Sequence, residues 1–138
     1  MKNRSLAADY VIRCHHRLKA LDTLYSLESW ADVVRQAQEV VELALKGLLR
    51  HSGIEVPRIH DVGEILLENK KLVSREIQGE LEALASISRR MRRDRELAFY
   101  GSEDLTPSQF YKKSDADEAR RDAGRVVATV ERVVKALG

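Results

Sequence analysis

At 138 residues the chain is the size of one domain, and 43% hydrophobic against 33% charged residues gives it one core under a well-charged surface. A net charge of +2 is too small to mark a nucleic-acid binder by its sum, so any such role must come from how the charge is distributed. The single cysteine, Cys14, excludes an internal disulfide and suits a reducing compartment, and no apolar run reaches signal-peptide or membrane-spanning length, so the expected setting is cytoplasmic with no membrane contact.

The only two prolines, Pro57 and Pro107, divide the sequence into three long stretches rich in Leu, Val, Ala, Glu and Arg, which points to helices. The first helix is predicted over 4–25, with Leu6, Tyr10, Cys14, Leu18, Leu21 and Leu24 along one face. The segment "SWADVVRQAQEVVELALKGLLRHSG" comes next. Ser29 and Asp32 have the spacing of a reciprocal cap, the stripe runs from Trp30 to Leu49, and Gly53 is the expected left-handed stop. Asp61 and Glu64 cap a short helix, "VGEILLENK". A fourth helix is predicted from Ser74 to Phe99, ending at Gly101. The stretch "SEDLTPSQFYKKS" reads as loop with Pro107 as a breaker, and Ser114 or Asp115 caps a last helix reaching Leu137. No repeat or alternating strand pattern appears. The expectation is a single all-α domain over 1–138, an antiparallel up-and-down bundle of four long helices plus one short helix.

The stretch "RRMRRDRELAFYG", residues 89–101, carries five arginines in seven positions. Positions three or four apart share a helix face. The apolar stripe Ile77, Leu81, Leu84, Ile87, Met91 and Ala98 therefore takes in Arg95, whereas Arg89, Arg90 and Arg93 project away from it and Arg92 borders it. An arginine in such a stripe must be paired or must reach a wet cleft. Two readings stay open: it pairs with Glu39 or Glu42, or it grips phosphate at a subunit junction, where its planar fork fits.

The string "DVVRQAQEVVELALKGLLRHSGIEVPRIHDVGEIL", with its Glu42–Lys46 element and its His60–Asp61 pair, and the later "RRDRELAFYG" together resemble the HEPN family of small helical bundles over about residues 5–137. The resemblance implies a homodimer, frequently encoded with a minimal nucleotidyltransferase as a toxin–antitoxin pair. Many members are metal-independent endoribonucleases, whose site at the dimer junction uses an Arg, four to six residues, His motif. The motif's arginine maps onto Arg95. Its histidine has no counterpart, because Tyr100 stands where it is expected. Attack by an RNA 2′-hydroxyl needs a base and an acid, and histidine exchanges protons near neutral pH. Tyrosine, whose phenol ordinarily titrates near 10, does so poorly.

The resemblance thus implies a nucleotide- or RNA-binding homodimer in a toxin–antitoxin or defence pair, with a degenerate ribonuclease motif at Arg95 and Tyr100. Arg89, Arg92, Arg93, Arg95 and Tyr100 form the expected binding set. Two alternatives remain: an active metal-independent endoribonuclease toxin, using Tyr100 or His60 beside Arg95, and a non-enzymatic interaction scaffold. Tyr100 caps the bundle end, contacts a base, or is modified by the nucleotidyltransferase. No cofactor is expected. The "CHH" at 14–16 is no metal site, since neighbouring helical side chains diverge, and neither GxxxxGK[ST], GxGxxG nor HExxH occurs.

Overall fold

The computed structural model describes residues 4–56, 61–102 and 105–135, with the backbone alone over 95–99. It is all α: α1 spans Arg4–Ser26, α2 Trp30–His51, α3 Val62–Glu68, α4 Leu81–Tyr100, α5 Pro107–Phe110 and α6 Lys113–Glu131. The described residues contain no strand. Four of these helices are long, as expected, but two are short rather than one, and two single 3₁₀ turns, Lys70–Leu72 and Gln78–Glu80, lie between α3 and α4.

Helix α2 is the centre, touching each of the other five. Its predicted stripe is buried apart from the half-buried Trp30, and burial extends around the helix to Val40 and Gly47 because α1, α4 and α6 pack on different sides of it. Leu45 and Leu48 are fully buried, each stabilising the fold by about 1.5–3 kcal/mol. Helix α1 lies close to α2: a Cβ on Gly47 would stand 3.3 Å from Tyr10 Cβ. The buried face of α1 is therefore Ala7, Ala8, Val11, Cys14 and Leu21. Of the predicted stripe, Cys14 and Leu21 are buried, whereas Leu6, Tyr10, Leu18 and Leu24 are only partly buried, and Ala7 takes the close approach beside Gly47.

Both long N-terminal helices end in the same hydrogen-bonded cap. After α2, Ile54 N–H donates to Leu49 O (2.9 Å) and Gly53 N–H to Arg50 O (3.2 Å), with Gly53 at φ 75° as its sequence position predicts. After α1, Ser29 N–H donates to Leu24 O (3.1 Å) and Glu28 N–H to Tyr25 O (2.9 Å), with Glu28 at φ 58°. Ser29 thus closes α1 while it opens α2. Its hydroxyl donates to Asp32 Oδ2 (2.6 Å) and caps no backbone amide, which corrects the expected reciprocal cap.

Four other boundaries differ from expectation. Helix α4 begins at Leu81, not Ser74. The intervening residues make i→i+3 bonds, Ile77 N–H to Ser74 O and Glu80 N–H to Ile77 O, and the Gln78 side chain donates to Val73 O. A glycine at 79 disfavours a regular helix there. Pro107 opens a helix and does not merely break one. It sits at the first helical position, where its missing N–H costs nothing, behind a Thr106–Gln109 capping box. The N-cap of α6 is Lys112, whose N–H donates to Asp115 Oδ2 (2.8 Å), so neither Ser114 nor Asp115 occupies the cap position. Helix α6 ends at Glu131, short of the predicted Leu137, so Val133 and Val134 of the predicted stripe lie in the turn beyond it; Leu137 itself lies outside the described residues.

Candidate functional site

The apolar stripe of α4 is buried as predicted from Leu81 and Leu84 through Ile87 to Met91. The side chains of Arg95 and Ala98, and the whole of His60, lie outside the described residues. The two carboxylates expected as partners for Arg95 have cationic partners among the described residues. Glu39 pairs with Arg17 (3.3 Å) and Arg35 (3.4 Å), and Glu42 with Lys46 (3.9 Å), while Gln38 Nε2 donates to Glu42 (3.3 Å).

The described arginines of α4 sort into three kinds. Arg90 faces α6, where its guanidinium spans Glu118 (2.6 Å) and Asp122 (3.1 Å). It fastens two helices together, with its guanidinium committed to two carboxylates. Arg89 and Arg92 face the other way, toward Asp61. Arg89 Nε lies 3.9 Å from Asp61 Oδ2, and Arg92 Nη1 3.9 Å from Asp61 Oδ1. Their side chains are 62% and 37% exposed, so these are loose pairs. Arg93 is exposed and makes no ion pair among the described residues. Helical spacing sets Arg89, Arg93 and Tyr100 on one face with Arg92 at its edge. Tyr100 is 76% exposed, so it does not cover the bundle end.

That covering is done by Tyr111, in the stretch expected to be loop. Tyr111 is 4% exposed, its hydroxyl donates to the Asp94 carbonyl (3.3 Å), and its ring meets Phe110 edge-on at 5.0 Å. Burial, followed by the nearby carboxylates of Asp94 and Asp115, pushes its pKa well above the usual phenolic value. This tyrosine stays neutral and holds the end of α4 against the α5–α6 corner. Gly101, at φ 79°, turns the chain there, and a Cβ would lie 2.6 Å from Leu105 O.

Position 61 is also fixed locally. Asp61 caps α3, accepting from Gly63 N–H (2.9 Å). Gly63 lies so close to α4 that a Cβ would stand 2.8 Å from Ala85 Cα. Ala85, Arg89 and Arg92 succeed each other at four- and three-residue steps, so seating Gly63 on Ala85 aims the Asp61 carboxylate at the two arginines one and two turns further on.

The "CHH" side chains diverge as helical geometry requires. Cys14 Sγ, fully buried, donates to Val40 O (3.6 Å), whereas His15 Nε2 meets Glu131 Oε2 (2.6 Å) at the surface. Burial pushes the Cys14 pKa up to about 12 against the opposing pull of Arg17 and Arg13, leaving it unreactive. Among the described residues no group of three or more His, Cys, Asp or Glu is placed to hold a metal ion. A cleft of about 490 Å³ between α1 and α6, lined also by Lys19 and Arg121, has part of its charge matched internally. Arg120 pairs with Asp22 (2.7 Å) and stacks over the Tyr25 ring (4.0 Å), and Tyr25 donates to Asp117 (2.6 Å).

A small helical bundle with a central amphipathic helix, a capped short helix after it and an arginine-rich fourth helix agrees with what a family model shows directly: the HEPN domain model matches residues 7–133. The chain belongs to the HEPN domain family. No curated protein and no solved structure matches it. HEPN domains are associated with nucleotide- or RNA-related functions, commonly in toxin or defence systems, and often form dimers. Among the described residues of this HEPN chain, no helix is long and apolar enough to cross a membrane.

Proposed function

We propose that this HEPN protein binds RNA or a nucleotide through the arginine face of α4, as a homodimer that brings two such faces together. It works with a minimal nucleotidyltransferase in a toxin–antitoxin or defence pair. The observation that carries the reading is the exposed row Arg89, Arg93 and Tyr100, with Arg92 at its edge, which presents cations and an aromatic ring to the same side. Cations neutralise phosphates and release their counterions, and an exposed ring stacks on a base. Arg95 completes the binding set.

Ribonuclease chemistry at Arg95 and Tyr100 is weakened in this reading, because phenols in general exchange protons poorly near neutral pH and no histidine stands in the motif. The test is incubation of single-stranded RNA with the purified chain in a chelator, alongside Arg95→Ala. The expected result is binding by the wild type without efficient cleavage, and weaker binding by Arg95→Ala. Rapid cleavage lost in Arg95→Ala makes the protein an active ribonuclease. Binding unchanged in Arg95→Ala, with an altered oligomeric state, makes it a scaffold.

A further inference from the structure

We infer that Asp61 sets the affinity of the arginine face for phosphate, acting as an internal anion that competes for Arg89 and Arg92. The inference rests on the proposed RNA-binding role of that face and names the residue that tunes it. Three observations combine. Each oxygen of one carboxylate faces a different arginine, both at 3.9 Å. The carboxylate is held in place from behind, by the 2.9 Å bond from Gly63 N–H and by the contact of Gly63 with the Ala85 backbone. The arginines, in contrast, are long and substantially exposed, so they are the partners that can swing away.

These distances describe a brake and not a block. A close pair would hold the two arginines tightly, as Glu118 (2.6 Å) and Asp122 (3.1 Å) hold Arg90. A loose, exposed pair lowers their attraction for another anion but yields to one that brings several phosphates. A graded set results along α4, with Arg93 uncommitted among the described residues, Arg89 and Arg92 shared, and Arg90 committed. Asp61 touches no ligand in this scheme. It is a positioning residue, acting through the two side chains it holds.

The experiment measures binding of a fluorescein-labelled single-stranded oligouridylate at about 50 mM and about 300 mM salt. Asp61→Asn removes the charge and keeps an oxygen to cap α3, so helicity and thermal midpoint serve as fold controls, with Asp61→Ser as a second neutral cap. Both variants bind about three- to tenfold tighter than wild type at the lower salt, with the gain shrinking at the higher salt. The gain vanishes in an Arg89→Gln/Arg92→Gln background, a readout that a merely structural role for Asp61 would not produce. If wild type binds in a salt-sensitive way and neither neutral variant tightens, or if the gain persists without the two arginines, Asp61 is no brake. If no form binds at either salt, the RNA-binding reading itself falls, and the brake with it.

Discussion

A Cβ placed on Gly63 would stand 2.8 Å from Ala85 Cα, closer than two such carbons can approach. Gly63→Ala therefore pushes α3 off α4 and destabilises the protein by about 1–3 kcal/mol, measured by urea denaturation. Gly124 in α6 is the contrast, since nothing lies within 4 Å of its added Cβ. Gly124→Ala should stabilise by about 0.5–1 kcal/mol through helix propensity alone. Equal effects of the two substitutions would refute the close contact.

Glu28 occupies a position that glycine fills at the end of α2. At φ 58° it carries a left-handed strain of about 1 kcal/mol. Glu28→Gly relieves it and raises the thermal midpoint, whereas Gly53→Ala, at φ 75°, lowers it by a similar amount. A Glu28→Gly protein less stable than wild type would contradict the left-handed cap at this terminus.

Stability declines in alkali, beginning with Cys14. Its folded pKa is raised from 9.0 to about 12, so above pH 9 the unfolded chain releases a proton that the folded chain keeps. This contribution is complete below pH 9 and is lost as pH rises toward about 12. Between pH 9 and 10 the loss is about 1 kcal/mol. Tyr111, whose pKa is likewise raised, adds a second decline above its ordinary value of 10.0. Denaturation series at pH 8, 9 and 10 should show the first decline in wild type and not in Cys14→Ala. A thiol reagent at neutral pH should label Cys14 only after unfolding.

The arginines of α4 differ in what their loss does. Arg93→Ala weakens RNA binding about equally across sequences and reduces the salt slope by about one, the signature of a lost phosphate contact. Arg90→Ala leaves RNA binding unchanged and costs the fold about 1 kcal/mol or less, because it releases only Glu118 and Asp122. Filter-binding and denaturation measurements on both variants distinguish the roles, and the reverse pattern would show that the two faces have been exchanged.

Range in the chain decides which features are legible in the residues. Helix α2 is legible because its stripe of large aliphatics faces a core on several sides, and Gly53 marks its end with a glycine where the backbone requires one. The left-handed end of α1 is not, since Glu28 gives no such signal. The stripe read on α1 finds Cys14 and Leu21 of the buried face but misses Ala7, Ala8 and Val11, because the close approach to Gly47 uses Ala7. Within α4, periodicity separates the arginines by face but leaves open their partners. The Asp61, Glu118 and Asp122 contacts join segments distant in sequence, and no local pattern encodes them. Tyr111 is hidden in a stretch whose composition suggests loop. The Phe110–Tyr111 pair just before a helix is the signal that exposes it.

The most direct test of an RNA-binding arginine face is the affinity of wild-type protein for single-stranded RNA across a salt series. Logarithmic affinity should fall linearly and steeply with logarithmic salt, by tenfold or more between about 50 and about 200 mM, in proportion to the phosphates engaged. Affinity that is the same at both ends of the series would contradict it.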